Sequence, residues 1–440
     1  MADSSAERAP ALPPLLRAVH PFVHRQYRVL AAALALSLLG TGVWLVAFVW
    51  QVIQLGGSPV ELSIVATANA AGTVVAVLLG GAVADRVPQR RILIAVELTK
   101  AAAVGTVAAV ALTGGLEIWH LAAASLVFGL TDGFFYPAYS ALLPSLLPEH
   151  ELLAANGLEG VLRPAVMQAA GPAAASGLIA VASPGAAFVL VAGSQLLAAA
   201  ALLLLRPTAL RRQLDADDHP VGGLLRDIRD GFGYMVRTPW LFATLVYASV
   251  LVFVIMGPIE VLLPFAVKDQ TGGGAGAFAL AIGAFGVGGA VGSLLVATLR
   301  LPRRYLTVMN LLWGLGCVPL VVIGVTDALW VMVAALFVVG FAFSAANVIW
   351  GTLLQRRVPP AYLGRVSSLD FFVSLAFMPV SMAVAGPVGE VAGFPAVFFV
   401  AGLVPPALAT AAILIARMPR DELRHPLDRP APDGADVAAP

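Results

Sequence analysis

With 440 residues, 60% of them hydrophobic and 12% charged, and a mean hydropathy of +0.91, the chain is too apolar for a water-soluble globule, so its solvent is a membrane. A formal net charge of +1 leaves no basic face for nucleic acid. The one cysteine, Cys317 in an apolar run, rules out an intrachain disulfide or thiolate cluster, and no metal or cofactor is expected.

Residues 1–29 are polar and arginine-bearing and read as a cytoplasmic N-terminal segment. The apolar run that follows is too long for a signal-peptide core and reads as a retained first span. At roughly 17 to 25 residues per crossing, spans fall near 30–55, 60–83, 91–113, 118–143, 160–182 and 186–206, then near 240–267, 276–299, 304–325, 328–353, 366–388 and 395–417. The expected fold is an all-α membrane protein with twelve transmembrane helices in two six-helix bundles, 30–206 and 240–417. In the linker between them, 207–239, Leu224, Leu225, Ile228, Phe232 and Met235 recur at helical spacing opposite Arg226, Arg229 and Asp230, as in an amphipathic helix on the cytoplasmic interface. Residues 418–440, rich in Pro, Asp and Ala, read as a disordered cytoplasmic tail.

The turns between spans alternate in charge. Arg25 and Arg28, Arg86, Arg90 and Arg91, the linker arginines, Arg300, Arg303 and Arg304, Arg356, Arg357 and Arg365, and Arg417, Arg420 and Arg424 share one side; Lys268 is the only basic residue in the opposite turns. The positive-inside rule then places both termini in the cytoplasm. Abundant alanine, with Lys100 and Lys268 the only lysines, points to a GC-rich bacterial source and hence to the inner, cytoplasmic membrane.

The two halves repeat one another. RVPQRRIL (86–93) is echoed by RLPRRYL (300–306), and residues 129–162 lie against 340–373 without a gap, so that Gly129 meets Gly340, Pro148 meets Pro359 and Glu159 meets Asp370. Two similar six-helix halves are the arrangement in which a midplane site is reached alternately from either side.

The segment GGAVADRVPQRR (80–91) resembles the signature loop of the major facilitator superfamily. PAYSALLPSLLPEHELLAANGL (137–158), GPIEVLLPFAVKD (257–269) and LLQRRVPPAYLGRVSSLD (353–370) are similar to its bacterial drug and siderophore exporters of the macrolide-efflux kind, and GPAAASG (171–177) resembles a degraded antiporter signature. The resemblance implies a monomer in which Gly81, Asp85, Arg86, Arg90 and Arg91 latch the halves together on the cytoplasmic side when the outer side is open. The facing group would be the helix N-terminus near Gly364 to Ser368. Val83, Pro88 and Gln89 depart from the family's loop, and Thr41 stands where many relatives carry an acid.

Among candidate transport residues, Asp132 lies near mid-membrane, where an ionised carboxylate is expensive unless paired or protonated; it is either a proton carrier or the partner of Arg163. Glu260, between Pro258 and Pro264 where the helix should widen, is a second proton-coupling candidate. Glu97, Glu159, Arg163 and Asp370 are charge-relay candidates nearer the cytoplasm, Glu159 and Arg163 at ion-pair spacing. Trp44, Gln51, Asn69, Thr73, Gln168, Asn347 and Trp350 are candidates to line a substrate cavity. GAFGVGGAVG (283–292) reads as a close helix contact, not a dinucleotide fingerprint.

With no GxxxxGK[ST] phosphate loop for ATP, a proton gradient is the simplest drive. The expectation is a non-enzymatic secondary transporter that exports small hydrophobic or amphipathic compounds in exchange for protons. Two alternatives are a dedicated exporter of a secreted metabolite such as a siderophore or antibiotic, and a non-transporting receptor or scaffold.

Overall fold

The computed structural model describes residues 20–207, 229, 232–299 and 301–427. A short turn at His20–Val23 leads into α1 (Arg25–Gln54), α2 (Pro59–Arg86), α3 (Gln89–Leu112) and α4 (Ile118–Leu146). α5 (Glu149–Leu162) runs through a π-helical segment, Arg163–Ala170, into α6 (Gly171–Val181), and α7 (Pro184–Leu203) closes the first half. The second half holds α8 (Pro239–Gly257), a π-helical turn at Pro258–Leu262, α9 (Leu263–Thr271), α10 (Ala275–Thr298), α11 (Tyr305–Gly316) and α12 (Leu320–Ile323). It ends with α13 (Leu329–Arg357), α14 (Pro360–Ile415) and α15 (Met418–Arg424). Helices satisfy every interior backbone group within themselves, which is what lipid demands.

Among the described residues, eleven helical stretches are long and apolar enough to cross a membrane. The last, Ser374–Ile415, has 42 residues, about 63 Å of helix against a hydrocarbon core of roughly 30 Å. Gly393 interrupts it at φ 78°, a conformation that suits glycine, so this stretch holds two passes and the fold is consistent with twelve. Local chemistry sets the turns elsewhere. α2 opens on a capping box in which Ser58 Oγ accepts from Val60 N–H at 3.2 Å and Glu61 Oε2 accepts from Ser58 N–H at 2.8 Å, with Pro59 as first helical residue.

The internal repeat is visible in the packing. α2 crosses α4 in the first half and α10 crosses α13 in the second, both on glycines. A Cβ on Gly129 would stand 1.9 Å from the Asn69 carbonyl oxygen; on Gly340 it would stand 2.0 Å from that of Phe285. These are the two glycines that the sequence alignment superposes, and at such crossings only backbone can meet backbone. Gly288 and Gly292, from the glycine-rich run, sit in the same way on the carbonyl oxygens of Phe337 and Phe341.

The halves meet tightly on the side opposite the arginine-rich turns, hereafter the outer side. A Cβ on Gly386 of α14 would lie 2.4 Å from the Pro59 oxygen of α2, and Val60 N–H donates to Glu390 Oε1 at 3.4 Å. Nearer the middle, Gln168 packs on Gly286 of α10.

The expected ends need correction. Met418–Arg424, read as disordered tail, is helical and anchored: Thr307 N–H donates to Glu422 Oε1 at 3.1 Å, Tyr305 Oη to the His425 oxygen at 2.8 Å, and Arg357 pairs with Asp421 at 2.5 Å. Of the linker's apolar stripe, Met235 is buried in the hydrophobic core while Phe232 is exposed, so the end of the stripe at Met235 docks on protein. Leu224, Leu225, Arg226, Ile228 and Asp230 lie outside the described residues, as does 428–440.

Candidate functional site

A cluster of charged side chains lies in the interior between α3 and α4. Glu97 and Lys100 are one turn apart on α3, about 12 and 17 Å along it from its arginine-rich end, and Asp132 is about 21 Å from the corresponding end of α4. All three sit well inside the apolar layer. Lys100 Nζ donates to Asp132 Oδ1, and the lysine side chain is 1% exposed while that of Asp132 is 34% exposed. The ammonium also lies 4.6 Å from the ring centroid of Phe128 and 5.6 Å from that of Phe135, so aromatic faces replace part of its lost hydration. Glu97 is fully buried and interacts with Lys100, with Asp132 and with Ser37 of α1.

This changes the reading of Asp132. Its partner is Lys100, not Arg163, which instead donates to Glu159 at 2.9 Å in the pair that their spacing predicts. Lys100 was the residue missed from sequence, although the signal was present: a lone lysine inside an apolar run, with an acid three residues before it.

Towards the arginine-rich side, α4 and α5 enclose a cavity of about 490 Å³ whose walls include Tyr136, Tyr139, Ser140, Leu143, Asn156, Glu159 and Arg163. The Arg163 guanidinium stands 5.7 Å from the Tyr136 ring, so the cavity offers aromatic faces beside a neutralised charge pair. The π-helical segment that begins at Arg163 shifts the register of the helix here, and Gly171 just beyond it seats on Gly42 of α1.

In the second half, Pro258 opens the π-helical turn that carries Glu260, the local widening expected from its prolines. Trp350 Nε1 donates to Asp370 Oδ2 at 2.9 Å, joining a cavity candidate to a relay candidate. Arg357 lies over Trp240, which meets Trp350 edge-on.

The remaining candidates scatter. Trp44 is 2% exposed and stacks on Phe128, with Phe48 and Phe188 around it, so it fills the interior of the first bundle instead of walling a cavity. Gln51 is buried, Asn347 exposed, and Asn69 and Thr73 are committed to the α2–α4 seam, Asn69 Nδ2 donating to the Ser125 oxygen at 3.3 Å and Thr73 Oγ1 to the Asn69 oxygen at 3.1 Å. In the latch segment, Arg90 donates to the Leu202 and Leu203 oxygens at 3.0 and 2.8 Å, capping the C-terminus of α7, while Arg86 and Arg91 are exposed. Gly81 and Asp85 fall in α2, but their side-chain positions lie outside the described residues, as do those of Gly364, Arg365 and Ser368.

Paired helical bundles repeated in sequence and packing, with buried charges between helices, define a membrane transporter of the major facilitator type. The chain belongs to the family described as transmembrane secretion effectors, which matches residues 17–432. It is 28% identical over 388 residues to the multidrug efflux pump Tap of Mycolicibacterium fortuitum, covering 86% of this chain and 93% of the pump. It is 24% identical over 357 residues to macrolide efflux protein A of Streptococcus pyogenes, covering 80% and 86% of the two chains. Among solved structures, the nucleoside transporter NupG aligns with a TM-score of 0.68 at 13% identity, over 87% of this chain and 98% of the other, a likeness of fold alone.

Proposed function

We propose that the protein exports small hydrophobic or weakly cationic amphipathic compounds, drugs among them, from the cytoplasm in exchange for protons. The observation that carries this reading is the pairing of a sealed outer seam, at Pro59 and Gly386, with a cavity between α4 and α5 on the arginine-rich side. Aromatic faces and a self-neutralised Glu159–Arg163 pair suit an amphipathic guest better than a multiply charged one. Two relatives that align over most of the chain are named for multidrug and macrolide efflux, which supports the same substrate class.

In this reading the chain sits in a bacterial inner membrane as a monomer with both termini cytoplasmic. The two halves rock about the midplane, and the cycle involves no covalent chemistry. Rocking would bring the segment around Asp85 against the start of α14 when the outer seam opens. The test is dye accumulation in an efflux-deficient bacterial host. Cells expressing the protein should hold less ethidium, and a protonophore should abolish the difference. Well-expressed protein with no effect on any of a panel of dyes would sink the drug-export reading in favour of a dedicated metabolite.

A further inference from the structure

Two carboxylates and one ammonium share the interior of the first bundle. From α1 the group facing Glu97 is Ser37, from α4 it is Asp132, and α7, which packs on the same helix, carries no ionisable side chain along its length. With both acids ionised the cluster would hold a net negative charge in a place remote from water. One bound proton makes it neutral.

Its ends differ. Lys100 and Glu97 are the buried end, at 1% and 0% exposed, while Asp132, a third exposed, is the accessible end. Lys100 is committed to Asp132, and among the described residues neither oxygen of Glu97 has a hydrogen-bond partner, a setting in which the ionised carboxylate costs far more than the protonated one. Glu97 lies one helical turn before Lys100, so the flexible ammonium can reach either acid by rotating its side chain.

We propose that Glu97, Lys100 and Asp132 form a one-proton charge-exchange site. Lys100 pairs with Asp132 while Glu97 is protonated, and turns to Glu97 when that proton leaves, freeing the Asp132 carboxylate for a cationic group of the substrate. Charge balances at each step: the proton lost from Glu97 is replaced by the positive charge of the arriving guest, and no bond but the O–H is broken. This deepens the proposed proton-coupled export and rests on it for its place in a cycle, but the site can be tested without transport.

The experiment is pH-titrated infrared difference spectroscopy on the full-length protein in lipid nanodiscs, following the C=O band of protonated carboxylic acids. Wild type should show a titrating band beyond that of the chain's other carboxyls, which the Glu97→Gln/Asp132→Asn double variant isolates for subtraction. Glu97→Gln should lose it, because Asp132 and Lys100 then neutralise each other. Asp132→Asn should lose it at neutral pH as well, because Lys100 passes to Glu97. Lys100→Met should strengthen it. Adding tetraphenylphosphonium, a lipophilic cation, to wild type should diminish it. A titrating band that survives in either acid variant, its absence from wild type, or indifference to the cation at saturating concentration overturns the proposal. Gel filtration and thermal unfolding of each variant guard against misfolding. A wild type that shows the band but extrudes no dye removes the transport reading and leaves the site; protonophore-sensitive extrusion without the band does the reverse.

Discussion

Lys100 on α3 and Asp132 on α4 form an ion pair whose cationic partner is almost wholly inaccessible to solvent. Removing one member of a buried pair leaves the other without compensation, commonly a loss of about 3 to 5 kcal/mol. Asp132 is partly exposed, so the loss expected for Lys100→Met is smaller, roughly 2 to 4 kcal/mol. The double variant Lys100→Met/Asp132→Asn removes both charges and should regain part of that loss. Thermal unfolding of the four proteins in detergent closes the cycle, and strict additivity would mean the pair contributes nothing.

Sequence made the membrane class, the repeat and most spans legible because lipid imposes long apolar runs and the arginines mark one side. It also located Asp132, since a carboxylate deep in a span is conspicuous. The partner was not legible. Which helix faces Asp132 depends on the rotation of α3, and an all-round apolar helix carries no periodic stripe from which to read that rotation. Trp44 was misplaced for the same reason: nothing in its apolar surroundings says whether it faces a cavity or the ring of Phe128. Arg90 was grouped with the latch by its neighbours in sequence, whereas its contact with the end of α7 lies more than a hundred residues away.

That contact separates Arg90 from the exposed Arg91. Hydrogen bonds from a guanidinium to the last carbonyls of a helix satisfy orphan acceptors and oppose the negative end of its dipole. Arg90→Ala should lower stability by about 1.5 to 3 kcal/mol, while Arg91→Ala should change it by less than about 0.5 kcal/mol. Equal unfolding temperatures for the two variants would show that the α7 cap is dispensable.

Glu151, at the start of α5, ties the N-terminal turn to the first bundle. His20 Nδ1 lies 2.8 Å from Glu151 Oε1 and His24 Nε2 lies 3.0 Å from Oε2. Burial pushes this carboxyl up, but hydrogen bonds and charge from His24 and His20 outweigh it and hold the group below its usual range. A carboxyl depressed by folding stabilises above its unfolded value, near 4.5, and that contribution fades as pH falls through the folded value. Glu151→Gln should therefore unfold at lower temperature than wild type at pH 7, with the gap closing as pH falls below the unfolded value near 4.5 and through the lower folded value. A gap independent of pH would assign Glu151 a packing role only.

Gly386 is the point at which the outer seam can be wedged. Any side chain there meets the Pro59 carbonyl oxygen at 2.4 Å and the Ser63 hydroxyl at 2.6 Å, so α14 must move away from α2. Because this seam joins the two halves, the displacement favours the outward-open arrangement over the one observed, and Gly386→Val should slow export by tenfold or more, about 1.4 kcal/mol in the balance between states. The reporter is Ser63, 3% exposed at the seam, and the chain's only native thiol, Cys317, is itself buried. A Ser63→Cys variant should resist a membrane-impermeant maleimide applied from outside. In the Gly386→Val background it should label readily, and protection that persists there would mean that this seam does not seal the outer side.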